Sequence, residues 1–216
     1  ELQVEDNAVR HHYEVSQKVI DSLNRNEKVS YDPQQYNNYS VSYFSTLTSG
    51  VGGRSYYAEN PDSMRKAVMN VFSTRLNSGT DIVVLVDKTA SMDDDLEELR
   101  KSMRNIFKYL RQLKNVKVGI AAYGDLNYHF DFWYNKIDLG TDVDRIEKFM
   151  DGFSTVGNPD FAESVNDAIV RTVDEMNWTP GNKRIILVIG DAPSQEKPYS
   201  KYSQQEVIEK CNEKNI

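Results

Sequence analysis

Short apolar runs alternate with amphipathic stretches from residue 81 onward, and this pattern most constrains the fold of the 216-residue chain. Residues 82–86, 116–123 and 185–189 are almost wholly apolar, which is typical of strands buried on both faces. Apolar residues at three- and four-residue spacing predict helices from residue 94 to about 113, over 143–150 and 162–176, and around Val207. Residues 129–137 follow the second strand closely enough to predict an antiparallel edge strand. The class is α/β, with a doubly wound, mainly parallel Rossmann-like sheet and helices on both faces.

Residues 1–79 are predicted to form a mostly helical and irregular N-terminal extension that packs on a main domain of residues 80–216. Apolar spacing predicts a helix over residues 4–24, and the alternation in Tyr39-Ser-Val-Ser-Tyr43 predicts a short strand. A second helix is expected to begin near Pro61 and to end before residue 77. A strand is expected directly after residue 216, so the main domain is predicted to lack its last strand or strands.

Composition excludes several classes of function. The formal net charge of -7 argues against non-specific nucleic-acid binding, which needs a basic face. No apolar run approaches the length of a membrane span, so no membrane insertion is expected of this chain. The single cysteine, Cys211, rules out an internal disulfide and a cysteine-based zinc site, and its neighbours indicate a small buried hydrophobe. His11, His12 and His129 lack metal-ligand spacing with other donors and are expected at the surface.

Oxygen-bearing side chains follow the first predicted strand at alternate positions, namely Asp87, Thr89 and Ser91. A carboxylate and two hydroxyls placed where a strand gives way to a helix can turn toward one point, and hard cations prefer such oxygen ligands. The simpler interpretation is that Asp87 and Ser91 only cap the following helix.

Two further loops leave the carboxyl ends of buried segments and also carry oxygen donors. One spans residues 154–160, and the other is Gly190-Asp191-Ala192-Pro193. Separate loops that supply carboxylates and hydroxyls can build a six-coordinate oxygen shell for Mg²⁺, Mn²⁺ or Ca²⁺. A position left open to water would allow an external carboxylate to complete that shell.

These motifs resemble those of the von Willebrand factor A domain family. The resemblance covers about residues 80–216, and the motifs are most similar to those of the family's bacterial branch. Asp87-Lys88-Thr89-Ala90-Ser91-Met92 is similar to the metal-ion-dependent adhesion site of that family, and Asp191-Ala192-Pro193 to its third loop. The run from Gly157 to Glu163 is the counterpart of the second loop, although its glycine-rich part is altered to Asn158-Pro159. The segment 118–125 resembles the second strand of the family and its turn. The resemblance implies these metal ligands, with Thr155 as the alternative to Asp160: Asp87, Thr89, Ser91, Asp160 and Asp191.

The resemblance implies a non-enzymatic adhesion or protein-binding module that holds a divalent cation, Mg²⁺ first and Mn²⁺ or Ca²⁺ as alternatives. The partner would be a protein that offers an Asp or Glu carboxylate to the cation, in a secreted or cell-envelope setting. Two other functions stay open. One is a Mg²⁺-dependent phosphatase with Asp87 as nucleophile, although Thr89 stands where that chemistry needs a general acid. The other is a structural scaffold with a vestigial metal site.

Three further residues have two interpretations each. Lys88 either contributes charge at the rim of the site or, as the favoured interpretation, points outward into solvent. Asp125 either reaches the same pocket or closes a turn with Gly124. The ring of Trp133 is expected to pack against the sheet in preference to stacking on a ligand.

Overall fold

A computed structural model describes residues 37–58, 60–75, 79–110, 115–126, 133–155 and 162–216. The helix expected over residues 4–24 lies outside these ranges, and so does the beginning of the edge strand expected over 129–137. No helix within the described residues is long and apolar enough to cross a membrane.

The described part of the chain contains six helices and four strands. In order they are α1 (Asn38–Gly50), α2 (Pro61–Arg75), β1 (Thr80–Asp87), α3 (Asp93–Leu110), β2 (Val116–Tyr123), β3 (Tyr134–Gly140), α4 (Val143–Asp151), α5 (Val165–Glu175), β4 (Lys183–Ile189) and α6 (Gln204–Glu213). A single 3₁₀ turn, Ala90–Met92, connects β1 to α3. Side chains at the helix starts explain several of these bounds: Asp142 caps α4, and Ser203 and Glu206 form a capping box at α6.

The four strands form one sheet in the order β3-β2-β1-β4. Strand β1 pairs in parallel with β2 on one side and with β4 on the other, whereas β3 runs antiparallel to β2 at the edge. The predicted class, the parallel centre and the antiparallel edge strand are therefore confirmed. Because β1, β2 and β4 are parallel, the loops that follow Asp87, Tyr123 and Ile189 leave from the same edge of the sheet.

Helices cover both faces of the sheet, and two apolar cores result. Alternate residues of β1 point to opposite sides: Ile82, Val84 and Val86 pack with α2, α3 and α4, while Val83 and Leu85 pack with α1, α5 and α6. All five of these side chains are fully buried. This two-sided burial explains why the strand reads as an unbroken apolar run.

Helix α1 corrects the prediction of a strand at residues 39–43. The Asn37 side chain accepts a hydrogen bond from the Tyr39 backbone N–H at 2.9 Å and caps a helix that continues to Gly50. Ser40 and Leu47, seven residues apart, are the buried residues of this helix. The alternating sequence has strand propensity, but the chance to bury one helical face overrides it.

Helix α2 begins at Pro61 and ends at Arg75, as predicted. Its residues Val68, Val71 and Phe72 are buried in the same core as α3, and Phe72 is wholly buried. The extension thus shares a core with the sheet over its described part. The division of the chain at residue 79, and a strand after residue 216, stay predictions.

Candidate metal centre

Asp87 lies at the carboxyl end of β1 and is fully buried. One carboxylate oxygen, Oδ1, accepts hydrogen bonds from the Thr89 backbone N–H at 2.9 Å and from Thr89 Oγ1 at 2.8 Å. The other oxygen, Oδ2, accepts a bond from the Tyr123 hydroxyl at 3.1 Å. A Cβ added at Gly190 would lie only 3.2 Å from Asp87 Oδ2 and 2.9 Å from the Tyr123 hydroxyl, so a glycine is needed where the third loop passes this carboxylate.

Ser91 connects the first loop to the third. Its hydroxyl lies 3.2 Å from Thr89 Oγ1 and donates to Asp191 Oδ1 at 3.2 Å. The side chains of Asp87, Thr89, Ser91 and Asp191 therefore form one continuous chain of oxygen contacts. Asp87 accepts a backbone N–H bond from Thr89, as a capping residue does, whereas the Ser91 hydroxyl contacts side-chain oxygens of Thr89 and Asp191.

The second loop is described only in part. Asp160, the predicted ligand from this loop, lies outside the described residues and stays a prediction. Its alternative, Thr155, donates a hydrogen bond to Asp93 Oδ1 at 3.0 Å, which ties the loop to the start of α3.

Glu163, which the sequence prediction did not include, lies beside this cluster. Its backbone binds the third loop, because its N–H donates to Pro193 O at 2.9 Å and its C=O accepts from the Gln195 N–H at 2.8 Å. The Glu163 carboxylate is fully buried, and neither of its oxygens has a hydrogen-bond partner within the described residues. A glutamate at the end of the Gly157–Glu163 motif was the one available signal, but a charged residue before a helix usually reads as an exposed cap.

Asp125 is buried and its charge acts on Glu163. Its reach into the pocket of Asp87 stays a prediction. Its Oδ1 accepts hydrogen bonds from Ser164 Oγ at 3.3 Å and from Gln195 Nε2 at 3.2 Å. Burial, followed by the charges of Asp87 and Asp125, raises the pKa of Glu163 far above its ordinary value.

Burial is also the main influence on Asp87 and Lys88. It raises the pKa of Asp87 to about 6, with the charge of Asp191 acting in the same direction and the hydrogen bonds from Thr89 opposing it. Lys88 is only 8% exposed, which corrects the favoured prediction that it points into solvent. Its burial lowers the pKa of the Lys88 ammonium, because the charged form loses hydration.

Two other predictions concern residues away from the cluster. Cys211 is buried in the core that α6 forms with the sheet, as predicted. Trp133 is partly buried and packs against the same core, with the Arg171 guanidinium 5.4 Å from the centre of its ring, so packing against the sheet is confirmed. His11, His12 and His129 lie outside the described residues.

The chemistry of this cluster fits a divalent cation. Carboxylate and hydroxyl oxygens converge from three loops, and these are the donors that Mg²⁺, Mn²⁺ and Ca²⁺ prefer. Buried carboxylates normally have hydrogen-bond partners, and within the described residues no group lies at hydrogen-bond geometry to either carboxylate oxygen of Glu163. A cation among these groups would compensate the crowded negative charge of Asp87, Asp125 and Glu163.

The chain is similar to parts of several known proteins. Human integrin β-4 is 27% identical over 150 residues, which are 59% of this chain and 8% of that protein. The pilus adhesin SpaC from Lactobacillus rhamnosus GG, in its open conformation, is 18% identical with a TM-score of 0.44, covering 54% of this chain and 15% of that one. A second structure of SpaC gives 17% identity and a TM-score of 0.42, covering 52% and 15%. The chain thus corresponds to a small part of each of these proteins.

A family model matches a region of this chain that begins inside β1 and ends just after the third loop. This model describes the von Willebrand factor type A domain, and it matches residues 82–194, more than half of the chain. The matched region contains β2, β3, β4, most of β1 and all of the clustered oxygen donors. The chain therefore belongs to the von Willebrand factor type A domain family.

Proposed function

We propose that this chain is a non-enzymatic protein-binding module in which a divalent cation, with Mg²⁺ as the leading candidate, bridges to a carboxylate of a partner protein. Asp87, Thr89, Ser91 and Asp191 would hold the cation, and Glu163 would add a further anionic oxygen. The observation that carries the proposal is the convergence of these oxygens, with Glu163 buried and unpartnered beside them. Family membership and the relation to integrin β-4 support a role in adhesion or protein binding.

Each residue has a separate part in this proposal. Thr89 fixes the orientation of the Asp87 carboxylate through two hydrogen bonds, which leaves the oxygen lone pairs aimed in a set direction. Ser91 keeps the first and third loops together through Asp191. When bound, the cation supplies an open coordination position that an Asp or Glu side chain of the partner can fill. The surrounding loops then determine which proteins bind.

The phosphatase alternative lacks support in these contacts. A phosphoaspartyl mechanism needs a second carboxylate two residues after the nucleophile to protonate the leaving group. Thr89 occupies this position, and its hydroxyl donates to Asp87 itself. We therefore expect no hydrolysis of an aryl phosphate in the presence of Mg²⁺. Turnover that disappears in Asp87→Asn would reverse this assignment.

Titration calorimetry with Mg²⁺, Mn²⁺ and Ca²⁺ tests the metal site directly. The protein should bind at least one of these ions at a single high-affinity site, and Asp87→Asn should abolish binding. Asp81→Asn is the matched control, because Asp81 is a buried aspartate at the opposite end of β1 that accepts bonds from Thr179 N and Asn182 Nδ2. If the unmodified protein binds none of the three ions, a structural scaffold with a vestigial metal site becomes the better description of the domain.

The carboxylate bridge has its own test. Mn²⁺ bound with an open position retains exchangeable water, which accelerates proton relaxation of the solvent. Acetate should displace this water and lower the relaxation enhancement, whereas chloride at equal ionic strength should not. If acetate and chloride lower the relaxation enhancement equally, the carboxylate bridge is wrong, although the metal site still stands. The secreted or cell-envelope setting stays a prediction.

A further inference from the structure

Helix α1 lies outside the region matched by the family model, yet it contacts the candidate metal centre. At its N-terminal end, Ser40 Oγ donates a hydrogen bond to the backbone carbonyl of Asp191 at 2.8 Å. One turn later, the Tyr43 hydroxyl donates to Asn166 Oδ1 at 2.6 Å, and the Tyr43 carbonyl accepts from Gln204 Nε2 at 2.7 Å. The helix therefore joins the third loop, α5 and α6.

The other end of α1 is seated firmly on α6. Asn212 Nδ2 donates to the Gly50 carbonyl at 3.1 Å. A Cβ added at Gly50 would lie 2.6 Å from Ile208 Cδ1, a distance that real Cβ atoms do not show. With α1 fixed at both ends, the Ser40 hydroxyl has a defined position relative to the sheet.

The bond from Ser40 acts on the main chain of Asp191 and not on its carboxylate. The carboxylate stays available to Ser91 and to a cation. The backbone bonds that join the third loop to Glu163 begin at Pro193, two residues later. Ser40 is only 8% exposed, so water competes weakly for its hydroxyl. The position of Asp191 therefore depends on α1 as well as on β4.

We propose that Ser40 is a positioning residue for the metal centre: by holding the Asp191 carbonyl, it sets where the Asp191 carboxylate lies. This inference rests on the proposed function, because its main consequence is on metal affinity. Loss of a hydrogen-bonded group behind a metal ligand typically costs about 10–100-fold in affinity. Since the bond acts through the backbone, we expect Ser40→Ala to weaken Mg²⁺ binding by about tenfold.

The experiment compares Ser40→Ala with Ser45→Ala in the full chain. Ser45 lies on the same helix, and its hydroxyl contacts the Tyr57 hydroxyl at 2.9 Å, away from the third loop. Calorimetry gives the Mg²⁺ affinity of each variant, and urea unfolding gives its free energy of unfolding. Amide hydrogen exchange in the presence of a chelator reports the protection of residues 190–195 without any metal.

The expected result is specific to Ser40. Ser40→Ala should bind Mg²⁺ about tenfold more weakly and should exchange faster at residues 190–195, whereas Ser45→Ala should match the unmodified protein in both. A merely structural role would lower the free energy of unfolding and leave metal affinity unchanged, and that result overturns the inference. If the unmodified protein binds no Mg²⁺, the proposed function fails, and the exchange data alone decide whether Ser40 holds the loop.

Discussion

Replacing Glu163 by Gln should make the metal-free protein more stable at neutral pH. The Glu163 carboxylate is fully buried, and its oxygens have no hydrogen-bond partner within the described residues. Burial and the nearby charges of Asp87 and Asp125 raise its pKa, so the folded protein retains a proton that the unfolded chain has lost. Glutamine removes this conflict with little change of shape, and its amide can donate to neighbouring carboxylates.

The size of the effect follows from proton linkage. The glutamate titrates near 4.5 in an unfolded chain. Keeping the carboxyl protonated in the fold at pH 7 costs up to about 3 kcal/mol, at about 1.36 kcal/mol for each pH unit above 4.5. Because the folded pKa is the higher one, stability falls as the pH rises above 4.5. We therefore expect Glu163→Gln to be more stable by about 1–3 kcal/mol at pH 7, with no difference below pH 4.5.

Urea unfolding followed by tryptophan fluorescence measures this difference, in a chelator and again with saturating Mg²⁺. Added Mg²⁺ should stabilise the unmodified protein more than Glu163→Gln, because the variant lacks one anionic oxygen of the proposed site and a ligand stabilises only the state that binds it. Glu196→Gln is the control, because Glu196 is an exposed glutamate three residues after the third loop. A metal-free Glu163→Gln protein that is equally stable or less stable at pH 7 would refute the reasoning.

Three further substitutions test other parts of the structure. Gly190→Ala would bring a methyl group 2.9 Å from the Tyr123 hydroxyl, and calorimetry and urea unfolding should show weaker Mg²⁺ binding and a loss of about 1–3 kcal/mol. Phe72→Ala should cost about 3–5 kcal/mol in urea unfolding, because α2 shares the core of the sheet; a cost below about 1 kcal/mol would mean that the extension packs loosely. Glu206 is held by a bond from the Lys197 ammonium and by the α6 capping box, which lower its pKa to about 2. The Glu206 carboxylate therefore stabilises the fold above about pH 4.5, and this stabilisation is lost as the pH falls toward 2. Between these pH values, the free energy of unfolding of Glu206→Gln should change less than that of the unmodified protein.

The fold was predictable wherever local periodicity and burial agree. Strand β2 occupies residues 116–123, as predicted, and β1 and β4 extend beyond their predicted runs by only one or two residues at an end. Helix α3 begins one residue before its expected start. These elements are buried on a whole face, so their apolar pattern carries the structural information. Helix α1 was missed because its buried face contains few strongly apolar residues.

Only those residues of the candidate site that directly follow a strand could be predicted from the sequence. Asp87 and Asp191 were found because parallel strands end at a common edge. Glu163 and Lys88 were not, because sequence pattern assigns charged residues to solvent, and only tertiary packing shows that both are buried. Ser40 lies far from Asp191 in sequence, and no periodicity can indicate that its hydroxyl reaches the third loop.

The buried phenol of Tyr123 gives the domain an internal optical reporter. Its ring has no solvent exposure, and its hydroxyl donates to the same Asp87 carboxylate that would face a cation. The ultraviolet absorption of a phenol depends on the charge of its hydrogen-bond acceptor. Occupancy of the metal centre should therefore produce a tyrosine difference spectrum that Tyr123→Phe abolishes, so the domain would report its own metal state without an added dye.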